Sequence, residues 1–172
     1  MRTNQPVSGK ERPYPSGRVI ISRTDSKGRI THANAAFIDI SGYTKEELIG
    51  QSHNLVRHPD MPAETFRDLW ASLKAKRPWS GIVKNRCKNG DHYWVRAAVT
   101  PLPGEDGYMS VRTEASRADI QRAEALYARP GLRLDGGRRL PGGWFGLLVA
   151  LNRRVQLSWR FWATFLVFAG LM

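Results

Sequence analysis

Short apolar runs separated by turn-forming residues predict two strands and two short helices near the start of the chain. The apolar run at 19–21 begins the first strand, a turn signal follows at 25–28, and residues 29–32 return as the second strand. Asn34 can cap the first helix through its side chain, and residues 44–47 match a capping box for the second. The helices in this part of the chain are therefore expected to be short.

A longer helix is predicted after Pro62, because proline suits the first turn of a helix. Apolar side chains then recur at i, i+3, i+4 and i+7, which is the pattern of a helix that packs one face on a core. These side chains are Phe66, Leu69, Trp70 and Leu73.

Two longer strands are predicted at 79–86 and 92–101, joined as a hairpin by an Asn-Gly turn signal. A two-residue loop would pair Asn85 with Trp94. A loop that is one residue longer, with a glycine at a bulge, would pair Asn85 with Val95. We prefer the longer loop because it gathers small and apolar side chains on one face, and it points Asn85 inward.

A last strand at 108–113 and a helix capped by Ser116 complete an α+β pattern. Glycine and proline become frequent after this helix, which indicates a linker. The predicted segments are a flexible N-terminal tail at 1–18, a folded domain at 19–115, its C-terminal helix at 116–128, a basic linker at 129–156 and the start of a membrane anchor at 157–172.

The apolar run at 161–172 is shorter than the about 20 residues of a membrane span. We interpret it as the start of a transmembrane helix, with Arg160 at the boundary and Trp159 and Trp162 at the interface. The arginines before it predict a cytoplasmic location for the folded domain by the positive-inside rule. An amphipathic or buried C-terminal helix is the alternative.

The chain is strongly basic, with a formal net charge of +12. Much of the excess lies at 129–160, where Asp135 is the single acid. No nucleic-acid-binding signature accompanies this charge, so nucleic acid is not predicted as a partner. Cys87 is the single cysteine, which excludes an internal disulfide framework and a multi-cysteine zinc site.

The segment 53–62 concentrates unusual chemistry, with two histidines, an arginine, an aspartate and two prolines between two helical patterns. Proline limits regular structure there, and the polar groups are too varied for a generic linker. This segment is therefore predicted to bind a ligand.

The order of strand, strand, short helices, longer helix and three strands is the layout of a PAS domain. Specific motifs are Arg-His-Pro-Asp-Met-Pro at 57–62, Trp-Ser-Gly-Ile-Val-Lys-Asn-Arg at 79–86 and Lys-Asn-Gly-Asp-His-Tyr-Trp-Val-Arg at 88–96. Together they closely resemble the sensory domain of the aerotaxis receptor family, roughly over 19–127. The resemblance implies an α+β PAS fold, with a five-stranded antiparallel sheet, short helices on one face, and then a linker and the start of a transmembrane helix.

The resemblance also implies a function. Members of this family bind FAD non-covalently, and the redox state of the flavin reports on electron transport. The resemblance also implies a membrane anchor, a HAMP module and a methyl-accepting signalling domain in the same receptor. The signalling domain would control a chemotaxis histidine kinase, with its adaptor as a further indirect partner. We therefore expect a homodimeric redox sensor at the inner membrane with a cytoplasmic PAS domain, and not an enzyme.

Within the family, the residues that match Arg57, His58 and Asp60 are associated with FAD binding. Further candidate cofactor-binding residues are Asn34, Trp79, Asn85, Tyr93, His53 and Arg112. In light-sensing PAS relatives, a cysteine near the position of His53 forms a flavin adduct, so we predict no photoadduct here. No metal site is expected, because the four histidines show no metal-like spacing.

Each candidate has a structural alternative. Arg57 can make a bidentate contact to phosphate or a flavin carbonyl. Asp60 would repel phosphate, so it contacts a ribose hydroxyl or a ring N–H, orients Arg57, or simply caps the helix at Pro62. Trp79 could stack on a ring or pack at a strand end. Arg112 could favour a reduced, anionic flavin if it points inward, or it is a solvated strand-face arginine.

Asn85 would need partners if buried, which a flavin edge or neighbouring backbone provides. The outward side chains of Lys84, Arg86, Trp94 and Arg96 form a candidate docking surface. A PAS module that binds a small metabolite, or that only dimerises, is the alternative function. We find no pair of a catalytic nucleophile and a general base that could activate a substrate, which disfavours a flavin enzyme.

Overall fold

The computed structural model describes residues 4–129 and 131–139. Their elements are β1 (Ile20–Asp25), β2 (Ile30–Ala33), α1 (Ala35–Ser41), α2 (Lys45–Leu48), a 3-10 helix (His53–Val56), α3 (Ala63–Lys74), β3 (Trp79–Arg86), β4 (His92–Pro101), β5 (Gly107–Glu114), α4 (Arg117–Tyr127), β6 (Leu134–Asp135) and β7 (Arg138–Arg139).

Strands β1 to β5 form one antiparallel sheet in the order β2-β1-β5-β4-β3. The buried core includes Ile20, Phe37 and Val95, from two strands and α1. The predicted α+β fold with a five-stranded antiparallel sheet is therefore confirmed. Arg96 is exposed between buried neighbours on β4, so its side chain lies on the opposite face of the sheet. There it pairs with Asp119 of α4.

The helix caps were predicted correctly where a side chain of the right type precedes the helix. Asn34 Oδ1 accepts the Phe37 N–H at 3.1 Å, and Thr44 forms a complete capping box. α3 behaves differently, because its N-cap is Pro62 and no side chain caps it. The alternative role of Asp60 as the cap of this helix is therefore wrong.

Both hairpin registers considered from the sequence are wrong, because Asn85 pairs with Tyr93. Cys87 and Asp91 close the loop, with the Cys87 N–H donating to the Asp91 carbonyl at 2.7 Å. The loop does have three residues, but Gly90, with φ of +96°, occupies its last position. A glycine with positive φ suits the last position of a three-residue hairpin loop. With Gly90 at that position, every strand pair is shifted by two residues from the preferred register. The shift preserves the faces, so Asn85 still points inward.

The N-terminal segment is packed against the domain, contrary to the expectation of a flexible tail. Its Asn4 side chain donates to the carbonyls of Asn54 and Arg57 at 2.6 and 3.0 Å. Further along, backbone hydrogen bonds join Lys10 and Arg12 to His92 at the start of β4. The segment therefore secures both the 53–62 stretch and the edge of the hairpin.

The proposed docking surface is largely closed. Arg86 and Trp94 are buried, and the Arg86 guanidinium donates to the Tyr43 hydroxyl at 2.7 Å and to nearby backbone carbonyls. Lys84 is also mostly covered, since its side chain is 15% exposed. Arg96 is exposed but paired with Asp119, so these four residues do not form an open face.

Part of the predicted linker is structured, because β6 and β7 form a small two-stranded sheet. Within the described residues, no helix has the length and apolar character needed to cross a membrane. The predicted membrane anchor at 157–172 lies outside the described residues.

Candidate functional site

A cavity of about 600 Å³ lies between the inner face of the sheet, the 3-10 helix and α3. Its wall includes His53 and Arg57 from the 53–62 segment, Trp79 and Asn85 from β3, and Arg112 from β5. This volume lies within the usual range of small-molecule and cofactor sites. The structure therefore brings five of the nine candidate residues that were predicted from the sequence to the wall of one cavity.

The lining of the cavity is cationic. Four basic side chains contribute to it, and no aspartate or glutamate of the described residues does. The basic residues are Lys27, Arg57, Arg67 and Arg112. Several positive charges around a partly closed cavity attract anions. The wall therefore suits a ligand that carries phosphate or another negative group.

Arg112 is the most buried of these cations, with 2% of its surface exposed. Its Nη2 donates to the Ser22 hydroxyl at 2.6 Å and also meets Nε2 of His53. The Phe37 ring lies 4.8 Å from the guanidinium carbon. Nη1 is buried without a hydrogen-bond partner among the described residues, and burial lowers the pKa of Arg112. The alternative of a solvated strand-face arginine is therefore wrong.

His53 stacks on Phe37, with ring centroids 5.7 Å apart. Burial, and then the nearby charge of Arg112, lower the pKa of His53 to about 3. The imidazole is therefore neutral at physiological pH. Because Arg112 can only donate, His53 must accept through Nε2 and carry its proton on Nδ1.

Arg57 is held by contacts within the same region. Its guanidinium carbon lies 4.3 Å from the Phe66 ring centroid, and Nη2 donates to the Met61 carbonyl at 2.6 Å. Its backbone bridges to Asn85 of β3, and burial lowers the pKa of Arg57. This arrangement holds a cation at the cavity wall on a rigid support.

Trp79 and Asn85 supply a ring and an amide to the same wall. Trp79 Nε1 donates to Asp68 Oδ2 at 2.7 Å, and its ring requires a glycine at position 81, where a Cβ would lie 2.6 Å from the indole. The Asn85 Nδ2 is buried with no hydrogen-bond partner among the described residues. A buried amide without a partner is costly, so a polar ligand edge would complete it.

His58 and Asp60 are not part of the cavity lining. The His58 ring packs edge-on against His92 at 5.6 Å, and its Nδ1 accepts the Asp60 N–H at 3.2 Å. Burial, and then the charge of Lys84, lower the pKa of His58 to about 4, while Asp60 opposes this shift. Asp60 is exposed and pairs with Lys84 at 2.7 Å. Both residues shape the turn that carries Arg57.

Asn34 and Tyr93 also lie outside the lining. Asn34 uses its amide within the fold, accepting from Ile21 and Phe37 and donating to Val19. Tyr93 is fully buried, and burial raises its pKa.

Several site residues escaped the sequence reasoning. Ser22 holds Arg112, and Asp68 holds Trp79, but both contacts join residues that are distant in sequence. Trp70 lines the cavity and meets Tyr108 edge-on at 5.6 Å. Its place in the apolar stripe of α3 indicated packing, and nothing in that pattern separates a core position from a cavity wall.

The comparisons with known proteins agree with this architecture. Residues 30–111 match a family model described as the PAS fold. The aerotaxis receptor of Escherichia coli (strain K12) is 46% identical over 168 residues, which cover 93% of this chain and 32% of the receptor. The chain thus spans about a third of that relative's length.

Two further matches are more distant. The blue-light-activated histidine kinase 1 of Erythrobacter litoralis (strain HTCC2594) is 32% identical over 78 residues, covering 45% of this chain and 22% of the kinase. A solved light-oxygen-voltage domain, from work on a flavin analogue, is 21% identical with a TM-score of 0.52. That match covers 62% of this chain and 81% of the other, and it shows a shared fold.

Proposed function

The chain belongs to the PAS family, as its resemblance to the sensory domain of aerotaxis receptors predicted, and from this premise we propose that it is a redox sensor that binds FAD non-covalently. A PAS sensory role in signalling is common to the relatives, whereas the cofactor and the output are our inference. The solved light-oxygen-voltage domain of the same fold was studied with a flavin analogue, which supports a flavin as the class of ligand that we propose.

The observation that carries the proposal is the Arg112 guanidinium. It is buried in the cavity wall, it has no carboxylate partner among the described residues, and its Nη1 lacks a hydrogen-bond partner there. A buried cation without an anion is strongly unfavourable, so a ligand with negative or electron-rich oxygen atoms would relieve it. A flavin with its phosphates fits these requirements.

Other wall residues suit the same ligand. Arg57 can bind phosphate or a carbonyl oxygen, and Trp79 offers an aromatic face. Asn85 offers an amide for a ring edge that both donates and accepts hydrogen bonds. Asp60 and His58 would act by positioning the turn that carries Arg57, since neither lines the cavity.

FAD would supply a ring whose charge and N–H pattern change on reduction. Arg112 would favour the more negative state, and neutral His53 would keep Arg112 oriented through its Nε2. Neighbouring strands bear these side chains, so a change in their contacts would be felt by the sheet. A coupling of about 1–3 kcal/mol would be enough to shift a signalling equilibrium.

We extend the proposal to the whole receptor by its resemblance to aerotaxis receptors. The PAS domain would be cytoplasmic and anchored to the inner membrane by the C-terminal segment. Its partners would be a HAMP module and a methyl-accepting domain that control a histidine kinase, in a homodimer. The role is sensory and not enzymatic.

Spectroscopy of the purified 172-residue chain tests the cofactor. We expect a flavin absorbance spectrum that bleaches with dithionite, and release of FAD on denaturation. Arg57→Ala should lower occupancy and affinity. A chain that shows no flavin, and takes up none when FAD is added, would overturn the proposal.

A small anionic metabolite is the second candidate ligand, because the cationic wall would also attract it. Extraction separates the two, since a metabolite would be released without a flavin spectrum. No photoadduct is proposed, because Cys87 lies outside the lining and its thiol donates to the Ile40 carbonyl at 3.2 Å.

A further inference from the structure

Asp68 of α3 joins the cavity wall to the segment that follows the domain. Its side chain is 5% exposed and accepts three hydrogen bonds. Trp79 Nε1 donates to Oδ2 at 2.7 Å. The backbone N–H groups of Gly136 and Gly137 donate to Oδ1 and Oδ2 at 2.8 and 2.7 Å. One carboxylate oxygen thus serves both the indole and the following segment.

The turn at 134–137 is shaped for this carboxylate. Gly136 and Gly137 both have positive φ, of +60° and +83°, so their consecutive N–H groups can point at one anion. A Cβ at Gly137 would lie 1.8 Å from the Ser80 carbonyl oxygen, so this close approach also requires glycine. The Leu134 N–H adds a bond to Glu64 Oε1 at 3.3 Å, one helical turn before Asp68.

Trp79 brings this contact to the cavity, because its ring is part of the lining. The residue is 2% exposed and sits at the first position of β3. Since the indole and the Gly137 N–H share Oδ2, a displacement of the indole changes the acceptor that Gly137 uses. The cavity and the 134–137 turn are therefore two sites that meet at one group.

We propose that Asp68 is a positioning residue that couples the state of the cavity, through Trp79, to docking of the 134–137 turn. The coupling rests on the proposed function, because a bound ligand is what would bias the Trp79 ring. By linkage it acts in both directions, so release of the turn also changes the surroundings of the indole. The docking of the segment that follows the domain would therefore depend on the state of the cavity.

Hydrogen exchange on the FAD-loaded 172-residue chain tests the outward direction. We expect exchange at 134–137 to differ between the oxidised and reduced forms by about fivefold or more, the lower end of typical couplings. Asp68→Asn replaces one carboxylate oxygen with a donor, so exchange there should rise at least about tenfold and no longer depend on redox state.

Gly137→Ala tests the reverse direction with Asp68 and Trp79 themselves unchanged. In the docked turn the added Cβ would lie 3.8 Å from Cε2 of the Trp79 indole, an ordinary van der Waals contact that release of the turn removes. The added Cβ should release the turn by its clash with Ser80. The Trp79 indole N–H resonance, identified by its loss in Trp79→Phe, should then shift. Gly131→Ala is the matched control, because Gly131 also has positive φ, of +66°, but a Cβ there would meet nothing within 4 Å.

The outcomes separate the two proposals. A flavin that reduces normally while exchange at 134–137 stays constant overturns the coupling and leaves the proposed function intact. A chain without flavin overturns the proposed function, and the indole resonance then decides the coupling alone. If the turn is released in Gly137→Ala but the Trp79 indole resonance does not change, the proposed coupling is wrong. A shift that Gly131→Ala does not reproduce supports it.

Discussion

His53 and His58 lie in the same short segment, yet they occupy opposite surroundings. His53 lines the cavity, and its charged neighbour is Arg112. His58 lies behind the cavity wall, where Asp60 and Lys84 form an ion pair beside it. The pKa is lowered at both, to about 3 and about 4, but an acid opposes the shift only at His58.

The difference indicates which side of the segment faces the proposed ligand. Behind the wall, Lys84 has a carboxylate partner, so the charges there are already compensated. In the cavity, Arg112 is left with a hydroxyl, a neutral imidazole and an aromatic ring. Proteins rarely leave a buried charge in such surroundings, so the unmet electrostatic need marks the place for a ligand.

Arg112→Met should produce the largest effect. Loss of a buried charge contact costs about 2–5 kcal/mol, so the Kd for the flavin should rise by roughly thirtyfold or more. The ligand-free chain should be no less stable, because an uncompensated cation is replaced by an apolar side chain of similar length. Fluorescence titration and thermal unfolding measure the two quantities.

Arg86→Met is the matched control for this comparison. Arg86 is also buried and its Nε also lacks a partner, but it lies outside the cavity lining, and its Nη1 and Nη2 donate to backbone carbonyls and to the Tyr43 hydroxyl. We expect lower stability, because those acceptors lose their donor, and little change in the Kd of the remaining folded protein. Equal losses of affinity in both variants would contradict the distinction between the two sides.

Acid pH should reveal both histidines. Each pKa is lower in the folded state than the ordinary 6.5, so the unfolded state binds more protons as pH falls. Stability is therefore complete above about pH 6.5 and declines towards pH 4 and 3, by at most about 1.4 kcal/mol per pH unit for each histidine. His53→Gln and His58→Gln should each make the free energy of unfolding fall less steeply with decreasing pH, as measured by urea unfolding at several pH values.

Ligand binding should then separate the two imidazoles. An anionic ligand beside Arg112 should raise the pKa of His53, whereas the pKa of His58 should change little because the ligand does not reach it. An NMR titration of the ring protons, with and without FAD, measures both. The same rise at both rings would contradict the division of the segment.

Asp60 and Lys84 should give the smallest effect. Their ion pair is partly exposed, with 66% of the Asp60 side chain accessible, so it should contribute no more than about 1 kcal/mol to the free energy of unfolding. A double-mutant cycle of Asp60→Asn and Lys84→Met measures this coupling. Any loss of flavin affinity should be the same in both single variants, since each would act by loosening the turn before Met61. Unequal losses would indicate direct contact by one of them.

Local signals in the sequence predicted much of the fold. Asn34, Thr44 and Ser116 cap helices as expected, because a cap depends on residues within one turn. The stripe on α3 and the strands of the hairpin were likewise recognisable from periodicity. The hairpin register was not, since a three-residue loop can be placed in two ways and only the position of Gly90 distinguishes them.

The site was harder to predict because its contacts join distant residues. Arg57 and Trp79 could be proposed from the motifs, but the bond from Arg112 to Ser22 spans 90 positions. The direction of Arg112 depended on sheet order, which the pattern does not specify. Likewise, no local feature of Asp68 indicated that Gly136 and Gly137 would meet it.

The unmatched nitrogen of Arg112 has a consequence for how much of the protein a cell keeps. A ligand that binds only the folded chain stabilises it by mass action, and here the ligand-free chain starts from a deficit. Chaperones and proteases act on the unfolded fraction. The abundance of the sensor would therefore follow the supply of its cofactor, so that cells making little flavin would hold fewer copies before any of them had signalled.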